Sequence, residues 1–433
     1  MINLTKLWTG VAQPADGLRY GHASHHPNCM PGEARARKPI TVWNITRTCN
    51  LRCVHCYSDS NALKYPGELT WEEMQKTVED LAAYQVPSLL LSGGEPMIHP
   101  RFFDLVEFAS SAGLKLTIST NGTLITPEKA ALLKAAKVAY VGISLDGIGE
   151  IHDEFRRKEG AFDAAVRGFQ NCHAVQQKTG LRLTLTRHNV ENIDRILDFI
   201  EEQKIQRVCF YHLVPAGRGS ELQVLEAAAA RSAIDTLISR VEAWHTQGVQ
   251  REVLTVTQPA DGAYLLVRME NENHPNLQEA HRLLTWNGGG ANSSGRGIAN
   301  IDTQGEVHPD QFWQDVSLGN VKRMPFPEIW EGNDPRSSEV LESIRSIGLL
   351  SPQDRQARMT GPCADCKWFH ICGGGFRTRA AFCNDGNFWG SDPGCYLRDD
   401  ERMQLAKIGE SDSCNQMKTG SPTEIEFSAS ARP

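Results

Sequence analysis

The stretch "ITVWNITRTCNLRCVHCYSDS", residues 40–60, decides the fold. It begins as a β-branched apolar run and ends in a loop where Cys49, Cys53 and Cys56 follow the spacing C-x3-C-x2-C. Five further runs of the same kind follow: "SLLLSG" (88–93), "LKLTIS" (114–119), "AYVGISL" (139–145), "LRLTLT" (181–186) and "RVCFYHLV" (207–214). Segments of helical period lie between most of them. One opens at Thr70 with Glu73 spaced as a capping box, and another opens at Thr126 with Pro127 in the first turn. Strands alternating with helices predict right-handed βαβ units and a parallel sheet. Six units are too few for a closed eight-fold barrel, so the expectation is an α/β fold, either a partial (β/α)6 TIM-like barrel or a wound open sheet. Such folds carry their chemistry at the carboxyl ends of the strands. The unusual patches fall there: the cysteine loop after the first strand, "GGEP" (93–96), "STNG" (119–122), "SLDG" (144–147) and "PAGRG" (215–219).

Composition sets the outer limits. At 433 residues the chain is long enough for two or three domains. The expected division is an irregular N-terminal arm over 1–38, the barrel over 39–220, a helical and irregular connection over 221–300, a cysteine-rich domain over 301–400 and a disordered polar tail over 401–433. The net charge of −7 argues against nucleic acid as the main partner. No apolar run is long enough to span a membrane, and no signal peptide precedes the barrel, so a cytoplasmic protein without a membrane partner is expected. Twelve cysteines in such a compartment point to metal or cluster ligation rather than disulfides. His22, His25, His26 and Cys29 in the arm could touch a metal or substrate, although a solvated terminus explains them better.

Three thiolates on one loop can hold three corners of a [4Fe–4S] cubane, leaving one iron open. A structural zinc site would be closed by four ligands, and no second pair lies close in sequence. A redox Cys-x-x-Cys would use Cys53 and Cys56 and leave Cys49 unexplained.

Cys49-x3-Cys53-x-His55-Cys56, "GGEP" and the order of the strand-end motifs together resemble the radical S-adenosylmethionine (SAM) family. The resemblance implies a [4Fe–4S] cluster on Cys49, Cys53 and Cys56, S-adenosylmethionine on the open iron, and hydrogen abstraction by a 5′-deoxyadenosyl radical. Carried over by position, Gly93, Gly94 and Glu95 meet the methionine amino end. Ser119, Asn121, Ser144 and Asp146 face the carboxylate, ribose or adenine, with Arg156 a further carboxylate contact. A small electron donor such as ferredoxin or flavodoxin is also implied.

A second group, Cys363-x2-Cys366-x5-Cys372 followed by Cys395, resembles the SPASM extension of the same family, whose full form holds two auxiliary clusters. Here Asp310, Phe376 and, near the expected first ligand, Asn292 occupy positions where that pattern has cysteine. One auxiliary [4Fe–4S] cluster is therefore expected, with zinc on the same four thiolates as the alternative. Cys383 is spare, and Cys172 and Cys209 are expected in the core.

The longer stretches "GISLDGIGEIHDEFRRKEGAFDAA", "HLVPAGRG" and "NFWGSDPGCYL" are similar to the NirJ-type members of haem d1 biosynthesis. That implies a modified sirohaem substrate, 12,18-didecarboxysirohaem, and removal of two propionate side chains. Related enzymes of the alternative haem pathway, and peptide-modifying maturases, share the architecture. The short segment before the first strand leaves no room for the leader-binding domain common among the maturases. Arg156, Arg157, Arg218 and Arg296 are candidates to meet substrate carboxylates. His212 and His308 could ligate a substrate iron, or simply be hydrogen-bonded structure.

Overall fold

All six apolar runs form strands. The computed structural model describes residues 1–21, 38–333, 344–345 and 351–404. The strands in chain order are β1 (Ile2–Asn3), β2 (Ile40–Thr46), β3 (Leu89–Gly93), β4 (Leu116–Thr120), β5 (Tyr140–Ser144), β6 (Thr179–Leu185), β7 (Arg207–His212), β8 (Glu252–Val256), β9 (Ile298–Ile301), β10 (Glu306–His308) and β11 (Gly319–Asn320). They make one eleven-stranded sheet in the order β1-β8-β7-β6-β5-β4-β3-β2-β9-β10-β11. From β2 to β8 each strand pairs in parallel with the next. Trp43, Leu91, Ile118, Val141, Ile143 and Val208 are all but fully buried, as a parallel sheet covered on both faces requires.

The helices obey their local signals. Helix Trp71–Ala83 has the full capping box between Thr70 and Glu73. Helix Pro127–Ala135 starts from the Thr126 hydroxyl, which accepts the Lys129 N–H.

The barrel stays open because both edge strands are taken by other segments. At one edge β8 pairs with the antiparallel β1, and at the other β2 pairs in parallel with β9. Two expectations are corrected here. The first residues are not irregular: Leu4–Thr9 is a helix capped by Asn3 and ended by Gly10 at φ 75°. Its Leu4, Leu7 and Trp8 lie at helical spacing and are buried against helix Ala227–Thr246 and β8. The connection over 221–300 supplies β8 and the start of β9, so it is part of the sheet. The remainder of the expected arm, including His22, His25, His26 and Cys29, and the tail beyond Gln404 lie outside the described residues. Among the described residues no helix is long and apolar enough to cross a membrane.

Candidate functional site

The cysteine loop is held by its neighbours at the strand edge. The Gly94 N–H donates to the Thr46 carbonyl at 2.7 Å and the Glu95 N–H to the Thr48 carbonyl at 3.0 Å. A Cβ on Gly94 would come within 2.6 Å of the Arg47 carbonyl oxygen, and one on Gly93 would overlap the carbonyl of Thr46. "GGEP" is therefore two glycines wide because its backbone lies directly on the loop. From the other side a Cβ on Gly217, itself at φ 52°, would meet the Cys56 carbonyl at 2.5 Å. Arg218 then clamps the loop: its Nε donates to the Cys53 carbonyl (2.9 Å), its Nη2 to the Ser60 carbonyl (2.8 Å), and its Nη1 pairs with Asp59 (2.6 Å). The guanidinium expected for substrate is thus spent on the loop. Gly94→Ala should fold the barrel but fail to seat the loop, with the iron content of reconstituted protein falling by about half. Full iron loading of that variant would refute the close-approach reading.

Each sulfur of the triplet has donors of its own. Cys49 Sγ accepts the Leu51 N–H at 3.4 Å and lies 3.9 Å from Asn121 Nδ2. Cys53 Sγ accepts Arg156 Nη1 at 3.3 Å, and Cys56 Sγ accepts the Ser60 N–H at 3.3 Å. Burial pushes the Cys49 thiol up to about 12 and raises Cys53 as well, the latter against the pull of Arg156. Thiols so placed become thiolates when a cation is bound to them.

The eight residues assigned to S-adenosylmethionine divide into two groups. Ser119, Ser144, Asp146 and Arg156 line a cavity of about 140 Å³ inside the barrel, beside His55. Gly93, Gly94, Glu95 and Asn121 are absent from its walls and support the loop instead. Glu95 is fully buried, accepting Thr120 Oγ1 (2.8 Å), the Asn121 N–H (2.8 Å) and the Met97 N–H (3.2 Å). Asn121 donates to Asn50 at 2.9 Å. Asp146 and Arg156 form an ion pair with each other. Burial alone would raise the Asp146 carboxyl, but Arg156 holds it below the usual range. Of the other carboxylate candidates, Arg157 is exposed at a helix end, outside the cavity.

Of the two candidate histidines, His212 also lines this cavity. His212 Nε2 meets Asp261 at 3.1 Å, and His308 Nδ1 donates to the Val316 carbonyl at 2.7 Å. Sequence reasoning did not single out Arg182, Tyr211, Gln311 or Phe312, which complete the cavity wall. Nothing in their local spacing marks them; only the alternation of β6 and β7 could have hinted that Arg182 and Tyr211 face inward.

In the C-terminal domain Cys363, Cys366 and Cys372 are buried and Cys395 half-buried. Cys372 is raised well above an ordinary thiol, first by burial and then by the other three sulfurs, so the four sit as one electrostatic group. Cys383 is exposed, while Cys172 and Cys209 are core residues. At two positions where the SPASM pattern has cysteine, Asp310 and Phe376 are buried. The Asp310 carboxylate accepts Ser294 Oγ, Thr378 Oγ1 (2.7 Å) and the N–H groups of Phe312 (2.7 Å) and Trp313 (3.1 Å). Phe376 packs edge-on against Phe312.

The residues present fit the implied groups. The triplet offers three sulfurs with amide and guanidinium donors, and His55 Nδ1 and Arg156 Nε are buried without partners beside the cavity. An open parallel barrel bearing such a loop, followed by a four-thiol module, defines a radical SAM enzyme with an iron–sulfur extension. The family comparison agrees: the profile of the radical SAM superfamily matches residues 43–200, and that of the iron–sulfur cluster-binding SPASM domain matches 293–367. The chain belongs to the radical SAM superfamily. It is 43% identical over 406 residues to the Fe-coproporphyrin III synthase of Methanosarcina barkeri, covering 93% of this chain and 98% of that one. It is 38% identical over 377 residues to the pre-heme d1 synthase of Dinoroseobacter shibae, covering 86% and 90%. Among solved structures, anSMEcpe with bound AdoMet and a peptide superposes with a TM-score of 0.63 at 18% identity, covering 85% of this chain and 96% of that one. Streptococcus suis SuiB bound to S-adenosylmethionine does so with 0.63 at 17%, covering 84% and 78%. These two show the fold. As a family member the enzyme binds a [4Fe–4S] cluster with S-adenosylmethionine, and its SPASM domain binds auxiliary iron–sulfur.

Proposed function

We propose that this enzyme removes a pair of carboxylate-bearing side chains from an iron tetrapyrrole, 12,18-didecarboxysirohaem. The carrying observation is the nearly full-length likeness to a synthase named for an iron porphyrin, at 43% identity. That relationship is both stronger and more complete than the one to the pre-heme d1 synthase. The leading reading is therefore formation of Fe-coproporphyrin III by loss of acetate side chains. Loss of two propionates on the way to haem d1 is the second reading, favoured by the shared stretches around "SLDG" and "PAGRG" and by the 38% relative.

In this reading Cys49, Cys53 and Cys56 hold the cluster of the barrel. Cys363, Cys366, Cys372 and Cys395 hold one auxiliary cluster, a count supported by Asp310 and Phe376 standing where the extension's pattern has cysteine. Held by Cys49, Cys53 and Cys56, the first cluster with S-adenosylmethionine would supply radical hydrogen-abstraction chemistry. The chain's own residues do the positioning. Gly93 and Gly94 seat the loop, and Glu95 and Asn121 brace it from below. Arg218 locks it from above. The Asp146–Arg156 pair sets the guanidinium against Cys53, and Ser119 and Ser144 offer hydroxyls to the cosubstrate. Electrons come from a small carrier such as ferredoxin or flavodoxin, in the cytoplasm, where the thiols stay reduced.

Anaerobic incubation of reconstituted enzyme with didecarboxysirohaem, S-adenosylmethionine and dithionite tests the proposal by product mass. Loss of two acetate groups is expected. Loss of two propionates would establish the second reading, and unchanged tetrapyrrole alongside 5′-deoxyadenosine would remove the substrate from both.

A further inference from the structure

Among the described residues, no carboxylate pairs with Arg182, a cation that faces the barrel interior. Arg182 projects from β6 into the cavity, where its guanidinium forms no ion pair or hydrogen bond with any described residue, and its Nε is buried without a partner. Its guanidinium lies 5.6 Å from the Tyr211 ring, a cation–π contact that adds no negative charge. Even a half-buried cation without a counter-charge is costly, so a fold keeps one where something compensates it.

The neighbouring strand is shaped for this side chain. Gly142 on β5 pairs beside β6, and a Cβ there would stand 2.7 Å from Arg182 Cδ and 2.8 Å from Nε. Any larger residue at 142 would push the guanidinium stem aside. Ser119 and Ser144 line the same cavity. They supply neutral hydroxyls and no carboxylate. At about 140 Å³ the space fits a short carboxylate-bearing arm and is too small for a macrocycle.

We propose that Arg182, admitted by Gly142 and flanked by Tyr211, Ser119 and Ser144, is a carboxylate-binding subsite inside the barrel. Two molecules in the reaction carry such a group: the peripheral side chain of the tetrapyrrole and the methionyl end of S-adenosylmethionine. The first source rests on the functional reading above; the second does not. The planar fork of arginine suits two-point recognition of a carboxylate, which lysine cannot reproduce.

The test uses reconstituted full-length enzyme and the variants Arg182→Gln and Arg182→Lys. Equilibrium binding of S-adenosylmethionine and of didecarboxysirohaem is measured separately, with iron content and thermal unfolding recorded for each protein. R182Q is expected to weaken one of the two ligands at least about tenfold while leaving the other within about twofold, and R182K to recover part of the loss. The affected ligand identifies the source of the carboxylate. Methyl esterification of the tetrapyrrole's carboxylates should erase the difference between wild type and R182Q if the side chain is the source. Should R182Q fold poorly, R182K alone still reads the loss of the fork as a weaker affinity. Unchanged affinity for both ligands in a folded variant overturns the proposal. Absence of tetrapyrrole binding by the wild type refutes the functional reading instead, and leaves the S-adenosylmethionine arm to decide this one.

Discussion

Alanine at Cys49, Cys53 or Cys56 should reduce 5′-deoxyadenosine formation to background, whereas Cys372→Ala should leave it measurable in the absence of tetrapyrrole. Both classes of variant should lose about four of about eight irons per chain, the content of one cubane. The asymmetry follows from the two sites. The triplet lies at the barrel mouth beside the cavity, with three sulfurs and no fourth ligand on its loop. The second group has four sulfurs close together in the C-terminal domain. Removing Cys53 also strips Arg156 Nη1 of its acceptor, which leaves the Asp146–Arg156 pair facing an empty corner. Cleavage that persists in Cys53→Ala, or that vanishes in Cys372→Ala with the triplet's irons retained, would contradict this division of labour. About twelve irons in the wild type would show that Asp310 and Phe376 do not exclude a further cluster.

Breaking the Arg379–Asp392 pair should be the most destabilising single change outside the cysteines. Both side chains are completely buried, joined through Nε–Oδ1 and Nη2–Oδ2 at 2.7 Å each. Arg379 Nη1 also reaches the Leu213 carbonyl, after β7, at 3.2 Å. Asp392 in turn accepts the N–H groups of Phe376 (2.7 Å) and Gly394 (2.9 Å), so it sets the approach to Cys395. Arg379→Met leaves a buried carboxylate without its charge partner, at a cost of about 3–5 kcal/mol. Arg101→Met, which breaks the half-exposed pair with Asp104, should cost at most about 1 kcal/mol. Urea midpoints of the two variants check the contrast, and equal shifts would refute it.

The same pair has a pH signature. Burial alone would raise the Asp392 carboxyl, but Arg379 and two backbone amides hold it below its ordinary value. A folded pKa below the unfolded one makes the stabilisation fully present above the unfolded value of about 3.9. It is lost as pH falls through the lower folded value. Asp392→Asn should therefore be less stable than wild type at neutral pH, and the gap should narrow in acid. A gap that stays constant down to pH 3 would mean that Asp392 does not titrate with folding.

Much of this architecture could be read from linear spacing. Six strands, the Thr70 and Thr126 helix caps and the grouping of Cys49, Cys53 and Cys56 on one loop are local features, each set by residues a few positions apart. The same holds for the placement of every strand-end motif on one edge, because parallel βαβ units put successive carboxyl ends side by side. The edge strand β1 escaped notice for a physical reason. β1 is two residues long, too short to show a period, and it exists because β8 had open backbone groups to satisfy.

Side-chain roles at the site follow a different logic. Arg218, Arg156 and Arg182 look alike in the sequence as basic residues near the barrel mouth. Folding gives the first to backbone carbonyls of the cysteine loop and the second to Asp146 and Cys53. The third remains unpaired beside Gly142. Glu95 and Asn121 likewise take hydrogen-bond partners, Thr120, Met97 and Asn50, that the tertiary structure brings within reach. Covalent spacing fixes which soft ligands a loop can present. Which polar group meets a ligand is settled by the cost of burying it unsatisfied, and that cost depends on neighbours brought together from distant parts of the chain.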